Sequence, residues 1–205
     1  IVLLDKMISD IKNEIDENIC KSALTIEKIS SQVNQIEKTI NKILECYRKG
    51  KKVIIFGNGG SAADAQHIAA EFIGRFSIER ESYPAIALST DSSILTSLGN
   101  DYSFDVIFSR QCESLVSKGD VVIGISTSGK SQNVKNGLIM AKKKGAITIG
   151  LLGNKGGTIK KITDVSIIVN SKETPRIQEA HRTIYHTVCQ IVEKELAGKK
   201  LGKRR

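Results

Sequence analysis

Two loops rich in glycine and hydroxyl groups, and one set of His, Glu and Gln side chains, hold the chemistry in this 205-residue chain. The first loop is Gly57-Asn58-Gly59-Gly60-Ser61 and the second is Ser126-Thr127-Ser128-Gly129-Lys130-Ser131. Glycine lets a backbone approach a ligand closely. N–H groups at a helix N-terminus, joined by Ser and Thr hydroxyls, bind an anion. The second loop carries Ser126, Thr127, Ser128 and Ser131, more hydroxyls than one helix cap requires. With no magnesium ligand in view, its natural guest is a monophosphate.

Both loops imitate better-known motifs. Gly57-x-Gly59-x-x-Ala62 fits a dinucleotide fingerprint, which also needs an acid closing the second strand to hold the ribose. The second apolar run, PAIALS, ends in Ser89-Thr90, and Asp91 arrives too late. GISTSGKS, read from Gly124, matches the phosphate-loop pattern letter for letter. A nucleotide triphosphatase also needs a strand ending in a magnesium-binding Asp. The other apolar runs end at Gly57, Ser89, Gly153 and Asn170, so neither NAD binding nor ATP or GTP hydrolysis is expected.

His67 and Glu71 stand at i and i+4 and share a helix face, an imidazole beside a carboxylate. Such a pair can bind a divalent metal or serve as base and partner. The other two of the three His, His181 and His186, fall near Gln178 and Glu179. On one straight helix Gln178 and His186 would lie about 12 Å apart along the axis, whereas metal bonds are about 2 Å long. Either that helix begins after Gln178, or the ligands of one site come from two subunits.

The elements that must position these groups follow from periodicity. Residues 3–48 contain no Gly or Pro, and Leu24, Ile29, Val33, Ile36, Ile40, Ile43, Leu44 and Tyr47 recur at helical steps. An amphipathic helix is expected there, with an earlier helix or a bend before it. From Lys51 the apolar runs KKVIIFG, PAIALS, DVVIGIS, AITIGLLG and DVSIIV alternate with helical stretches near 61–75, 91–99, 104–117, 131–144 and 176–197. That alternation predicts an α/β fold with a parallel sheet covered on both faces. Ligands in such folds sit beyond the carboxyl ends of the strands. The expected organisation is an N-terminal helical segment (1–50), an α/β domain (51–197) and a disordered basic tail (198–205).

The charge balance excludes some partners. Lys and Arg number 31 against 22 Asp and Glu, a net charge of +9. Five of the positive charges (Lys199, Lys200, Lys203, Arg204 and Arg205) sit in the tail. The remainder is too weak for a nucleic-acid surface and suits an anionic small substrate. No apolar run reaches membrane-spanning length, and the start has no export-signal pattern. Cys20, Cys46, Cys112 and Cys189 are scattered and read as reduced thiols of a cytoplasmic protein.

The stretches GNGGSAADAQHIAAEFIGRF, YPAIAL, GNDYSFDVIFSRQ, GDVVIGISTSGKSQNV and RIQEAHRTIYH resemble the phosphoheptose isomerases, a family of sugar-isomerase (SIS) domain enzymes. The resemblance implies a three-layer SIS fold with five parallel strands, and a homotetramer whose active sites lie between subunits. It implies one zinc ion per subunit and conversion of sedoheptulose 7-phosphate to D-glycero-D-manno-heptose 7-phosphate, on the way to lipopolysaccharide or capsule. Carried over by position, the metal ligands fall on His67, Glu71, Gln178 and His186, rather than His181. The substrate contacts fall on Asn58, Gly59, Gly60, Ser61, Glu71, Arg75, Asn100, Asp101, Ser126, Thr127, Ser128, Ser131 and Gln178. Glu71 and His186 match the acid–base pair. Lys130 stands where a small polar residue is common, and is expected to face solvent. A non-catalytic relative, the DnaA initiator-associating replication regulator, is the rival reading; it lacks the His at the position of His186.

Overall fold

The computed structural model describes the backbone of residues 2–201 and the side chains of residues 10–197. Five parallel strands form one sheet: β1 (Val53–Gly57), β2 (Ala85–Ala87), β3 (Val121–Ser126), β4 (Ile147–Gly153) and β5 (Val165–Val169), in the order β2-β1-β3-β4-β5. Every expected strand is present, trimmed at its ends. Their side chains alternate between two cores, as a strand's period of two requires. Val53 and Ile55 join one apolar cluster with Ile43, Phe72, Ile184 and Val188. Ile54 and Phe56 join the other with Phe108, Val134 and Leu138. Both faces are therefore covered, which explains the unbroken apolar runs.

The layer on the first face contains α2 (Val33–Arg48), α3 (Gly60–Ile73) and α7 (Thr174–Leu201). The opposite layer holds α4 (Ser92–Asp101), α5 (Ile107–Leu115) and α6 (Gln132–Lys143). α1 (Val2–Glu27) precedes α2 and is joined to it by a 3-10 turn, Lys28–Gln32. This is the bend expected in the N-terminal stretch. The turn covers the open edge of the sheet, where the Gln32 amide oxygen accepts the Ile168 N–H at 3.1 Å. Within the expected apolar stripe, Ile36, Ile40, Ile43 and Leu44 are buried. Leu24 and Val33 are not: they are more than half exposed, although Ile29 and Gln32 between them already meet the domain. Ile11, Ile15 and Ile19 of α1 are exposed as well. α1 is tied to the domain by Arg176, whose guanidinium donates to the Asn18 carbonyl at 2.6 Å. α7 continues to Leu201, so the first part of the tail expected to be disordered at 198–205 is helical instead; residues 202–205 lie outside the described residues.

One ion pair fixes the chain after α3. The Glu193 carboxylate on α7 accepts the backbone N–H groups of Phe76, Ser77 and Ile78 at 2.7 to 2.9 Å. It also accepts Arg80 Nε at 3.0 Å, and both side chains are almost fully buried. Arg80 in turn donates to the carbonyls of Glu71 and Phe72. Burial alone would raise the Glu193 pKa, but the three backbone donors outweigh it and hold the group below the usual carboxylate range. Elsewhere on α7, His181 is fully buried, and burial pushes its pKa down to about 4.

Two outcomes follow. Glu193→Gln should cost about 3–5 kcal/mol in denaturant unfolding, because Arg80 is left buried without its countercharge. Glu113→Gln, in the exposed Arg110–Glu113 pair, should change stability by less than about 1 kcal/mol. The folded pKa of His181 lies below its unfolded value of about 6.5. Between about pH 6.5 and 4 the unfolded chain therefore binds the extra proton, and stability falls with falling pH. His181→Gln should flatten this part of a stability–pH curve. Glu193 acts in a lower window: its contribution is complete above the unfolded carboxylate value and is lost as pH falls through its depressed folded pKa.

Candidate functional site

The strand order places β1 between β2 and β3, so the chain reverses direction across the sheet at β1 and β3. Ligands in open parallel sheets bind in the crevice at such a switch point. Both glycine-rich loops open there, one after β1 and one after β3. They are bridged by two amides: Asn58 and Asn133 donate to each other, each at 2.9 Å. Asn133 also accepts the Val134 N–H at 2.8 Å, so its amide is fixed and Asn58 is aimed by it. Asn133 was not among the expected site residues; nothing in its spacing separates it from an ordinary first-turn helix residue.

The hydroxyl loop is folded into a cradle. Ser126 Oγ accepts the Gly129 N–H at 3.1 Å and lies 3.0 Å from Ser131 Oγ and 3.4 Å from Ser128 Oγ. Asn154 holds the Thr127 carbonyl at 3.0 Å. Gly129 has φ +66° and packs against the backbone of Gly156, where no side chain fits. Lys130 is exposed, as expected. Ser131 stands at the N-cap position of α6 with its hydroxyl turned to Ser126 rather than to the helix, so the positive end of that helix faces the hydroxyls. In the first loop a Cβ on Gly60 would meet the end of the flexible Gln178 side chain. Ser61 is buried beneath it. Asp91, the acid that the dinucleotide fingerprint would need, instead caps α4 by accepting the Ile94 N–H at 2.9 Å.

Three of the four expected metal ligands converge. His67 Nε2 lies 2.9 Å from Glu71 Oε1 and 3.5 Å from His186 Nε2. Ligand atoms on all three residues fall within 4.8 Å of one another. Donors about 2.1 Å from one tetrahedral ion would stand about 3.4 Å apart, so nitrogen, nitrogen and oxygen sit close to the spacing of zinc ligands. Burial, and next the neighbouring His67, push the His186 pKa below the ordinary imidazole value, which favours the neutral, ligating form. His181 takes no part, since it is sealed in the core.

The remaining expected residues do not join this cluster within the chain. α7 begins at Thr174, so Gln178 and His186 share one helix and stand about 12 Å apart along its axis. Gln178 lies instead beside Gly60, in a crevice shared with Ala63, Asp64, Pro175, Glu179 and Arg182. Arg75 is exposed and pairs loosely with Glu79 at 3.6 Å. Asn100 and Asp101 end α4 in the opposite layer, exposed and bonded to each other at 2.8 Å.

A second ring of side chains backs the His67, Glu71 and His186 cluster, and sequence reasoning missed it. Tyr185 OH lies 3.2 Å from His67 Nδ1 and 3.3 Å from Asp64 Oδ1. Arg182 Nε donates to the same hydroxyl at 3.1 Å, and its NH2 approaches Asp64 at 3.7 Å. Burial pushes the Tyr185 pKa up to about 12, so the phenol keeps its proton, and burial raises the Asp64 pKa. Asp64, three residues before His67, and Arg182, four before His186, were the members with a spacing signal.

The comparisons agree with this geometry. Residues 19–153 match the family model described as SIS domain. A phosphoheptose isomerase of Geotalea uraniireducens is 49% identical over 94% of this chain and 100% of its own length. One of Pelobacter propionicus is 58% identical over 76% of this chain and 82% of its own. The solved structure of phosphoheptose isomerase GmhA from Neisseria gonorrhoeae superposes with a TM-score of 0.86 at 36% identity, over 90% of this chain and 99% of that one. Names of this kind do not favour the regulator reading. A parallel sheet with its loops at the switch point, a hydroxyl cradle and a His/Glu/His cluster thus coincide with close kinship in sequence and fold, and the chain belongs to the phosphoheptose isomerase family of SIS-domain proteins.

Proposed function

We propose that this protein interconverts sedoheptulose 7-phosphate and D-glycero-D-manno-heptose 7-phosphate, a ketose–aldose isomerisation through an enediol. The observation that carries the reading is the convergence of His67, Glu71 and His186 in the layer of the first glycine loop. The kinship to enzymes named for this reaction supports it.

The reaction moves a proton between C1 and C2 and needs a base, an acid and a stabiliser of negative oxygen. Glu71 is assigned the C1 proton. Its Oε1 is turned toward His67, which leaves Oε2 for that transfer. His186 is assigned the proton exchange at the other end of the enediol. Ser126, Thr127, Ser128 and Ser131 hold the phosphate, so binding energy far from the reacting carbons positions them. Asn58, Gly59, Gly60, Ser61 and Gln178 line the sugar's path. Zinc held by His67, Glu71 and His186, one ion per subunit, would polarise the substrate carbonyl as a Lewis acid.

We further propose that the working form is a homotetramer with sites shared between subunits. Gln178 cannot reach the cluster of its own chain, and Asn100 and Asp101 lie on the far layer of the sheet. A neighbour can supply all three, and Arg75, while covering the exposed isoleucines of α1. No helix among the described residues is long and apolar enough to cross a membrane. Cys20 is exposed and unpaired, and Cys46, Cys112 and Cys189 are buried and unpaired, which suits a reducing cytoplasm.

The test is turnover of sedoheptulose 7-phosphate, followed by appearance of the heptose product. Chelation should abolish it and added zinc restore it; persistence of full activity in chelator would remove the metal from the reaction. Glu71→Gln should lower kcat by about 10²–10⁴-fold. Absence of turnover by a zinc-loaded, folded oligomer would overturn the assignment.

A further inference from the structure

The metal cluster has an asymmetric backing that bears on how His67 is held. Tyr185 OH has one proton and two lone pairs, and three partners within reach. Arg182 can only donate, so its Nε–H occupies one lone pair. Asp64 accepts, and Tyr185 is the hydrogen-bond donor its Oδ1 has within the chain besides the more distant Arg182. Asp64 Oδ2 is buried with no hydrogen-bond partner, so losing the phenol proton would leave this carboxylate without a close donor. The phenol proton therefore belongs to Asp64. The remaining lone pair faces His67 Nδ1, which must then carry the ring proton.

From this network we propose that Tyr185 is a positioning residue that fixes His67 in its Nδ1–H tautomer and so commits Nε2 to metal binding. The inference rests on the metal-site reading and deepens it. With the proton on Nδ1, His67 Nε2 and Glu71 Oε1, 2.9 Å apart, are both acceptors, an arrangement that a shared cation would satisfy. Backing of a ligating imidazole by a hydrogen-bonded partner is a general device that fixes tautomer and ring orientation. Here the partner is a phenol, itself set by Asp64 and Arg182.

The test is zinc affinity, measured by competition with a chromophoric chelator on the full-length protein. Tyr185→Phe keeps the ring, which lies edge-on to His67 and His186, and removes only the hydroxyl. Its zinc dissociation constant should rise about 10–100-fold. In zinc-loaded wild type, nitrogen-15 imidazole spectra should show a protected Nδ1–H on His67 that Tyr185→Phe loses. A folded Tyr185→Phe with unchanged affinity would overturn the inference, as would a wild-type spectrum with His67 bound through Nδ1. Should that variant not fold, Asp64 decides: Asp64→Asn keeps an acceptor and should hold zinc nearly as wild type, while Asp64→Val should weaken it. Equal affinities in that pair would overturn the inference. A wild-type chain that takes up no zinc would overturn the metal site itself and this inference with it.

Discussion

The parallel seating of α7 along α3 is the constraint on which the site depends. Bonded pairs between the α7 helix and the α3 segment with the chain that follows it are separated by 113 to 121 positions, from Asp64–Tyr185 to Arg80–Glu193. A nearly constant separation means that the two helices run side by side in one register. At the near end Gly60 admits the Gln178 side chain. In the middle His67 meets Tyr185 and His186. At the far end Glu193 gathers the chain that leaves α3. A slip of one residue would turn His186 by about 100° and dissolve the cluster.

That register has its own supports, and they differ in kind. Apolar packing of Phe72, Ile184 and Val188 supplies area but little direction. The buried Arg80–Glu193 pair is directional: it satisfies three backbone N–H groups and three carbonyls, one of them that of Glu71. Buried ion pairs often add little net stability compared with apolar replacements. Here the geometry gives the pair a role in placement, since it fixes the backbone of Glu71, whose carboxylate joins the His67 and His186 cluster. The sheet contributes the other half of the alignment. Because β1 and β3 are neighbours in register, both loops emerge at one level, and the Asn58–Asn133 pair ties them across the crevice.

The fold was readable in the sequence to an unusual degree. A sheet buried on both faces writes itself as continuous apolar runs, and those runs lie where the strands are. Most helix boundaries were displaced by a residue or two, as caps and frayed turns allow, but α7 runs four residues past the expected end at 197 and the helix expected from 104 opens with a 3-10 turn. The misplacement of Leu24 and Val33 has a physical cause. Periodicity reports an apolar face, but not whether that face meets this chain's own core or something outside it. The site was readable where chemistry is local: His67 with Glu71, and the run of hydroxyls. It was unreadable where chemistry depends on contacts between α3 and α7. Tyr185 and Asp64 are far apart in the chain, and nothing in either neighbourhood announces a hydrogen bond between them.

The same distinction bears on the residues that the fold leaves apart. Gln178, Asn100 and Asp101 were assigned by position to one site, yet one subunit spreads them over two layers and two turns of helix. A single isolated domain gives them no reason to occur together. The exposed isoleucines of α1 raise the same difficulty from the side of stability, because a helix that is amphipathic along its length gains little from one covered end. Both difficulties have one resolution if α1 and the neighbouring layer of a second subunit close over the crevice. Assembly would then be part of the active site's construction, with catalysis and association drawing on the same surfaces.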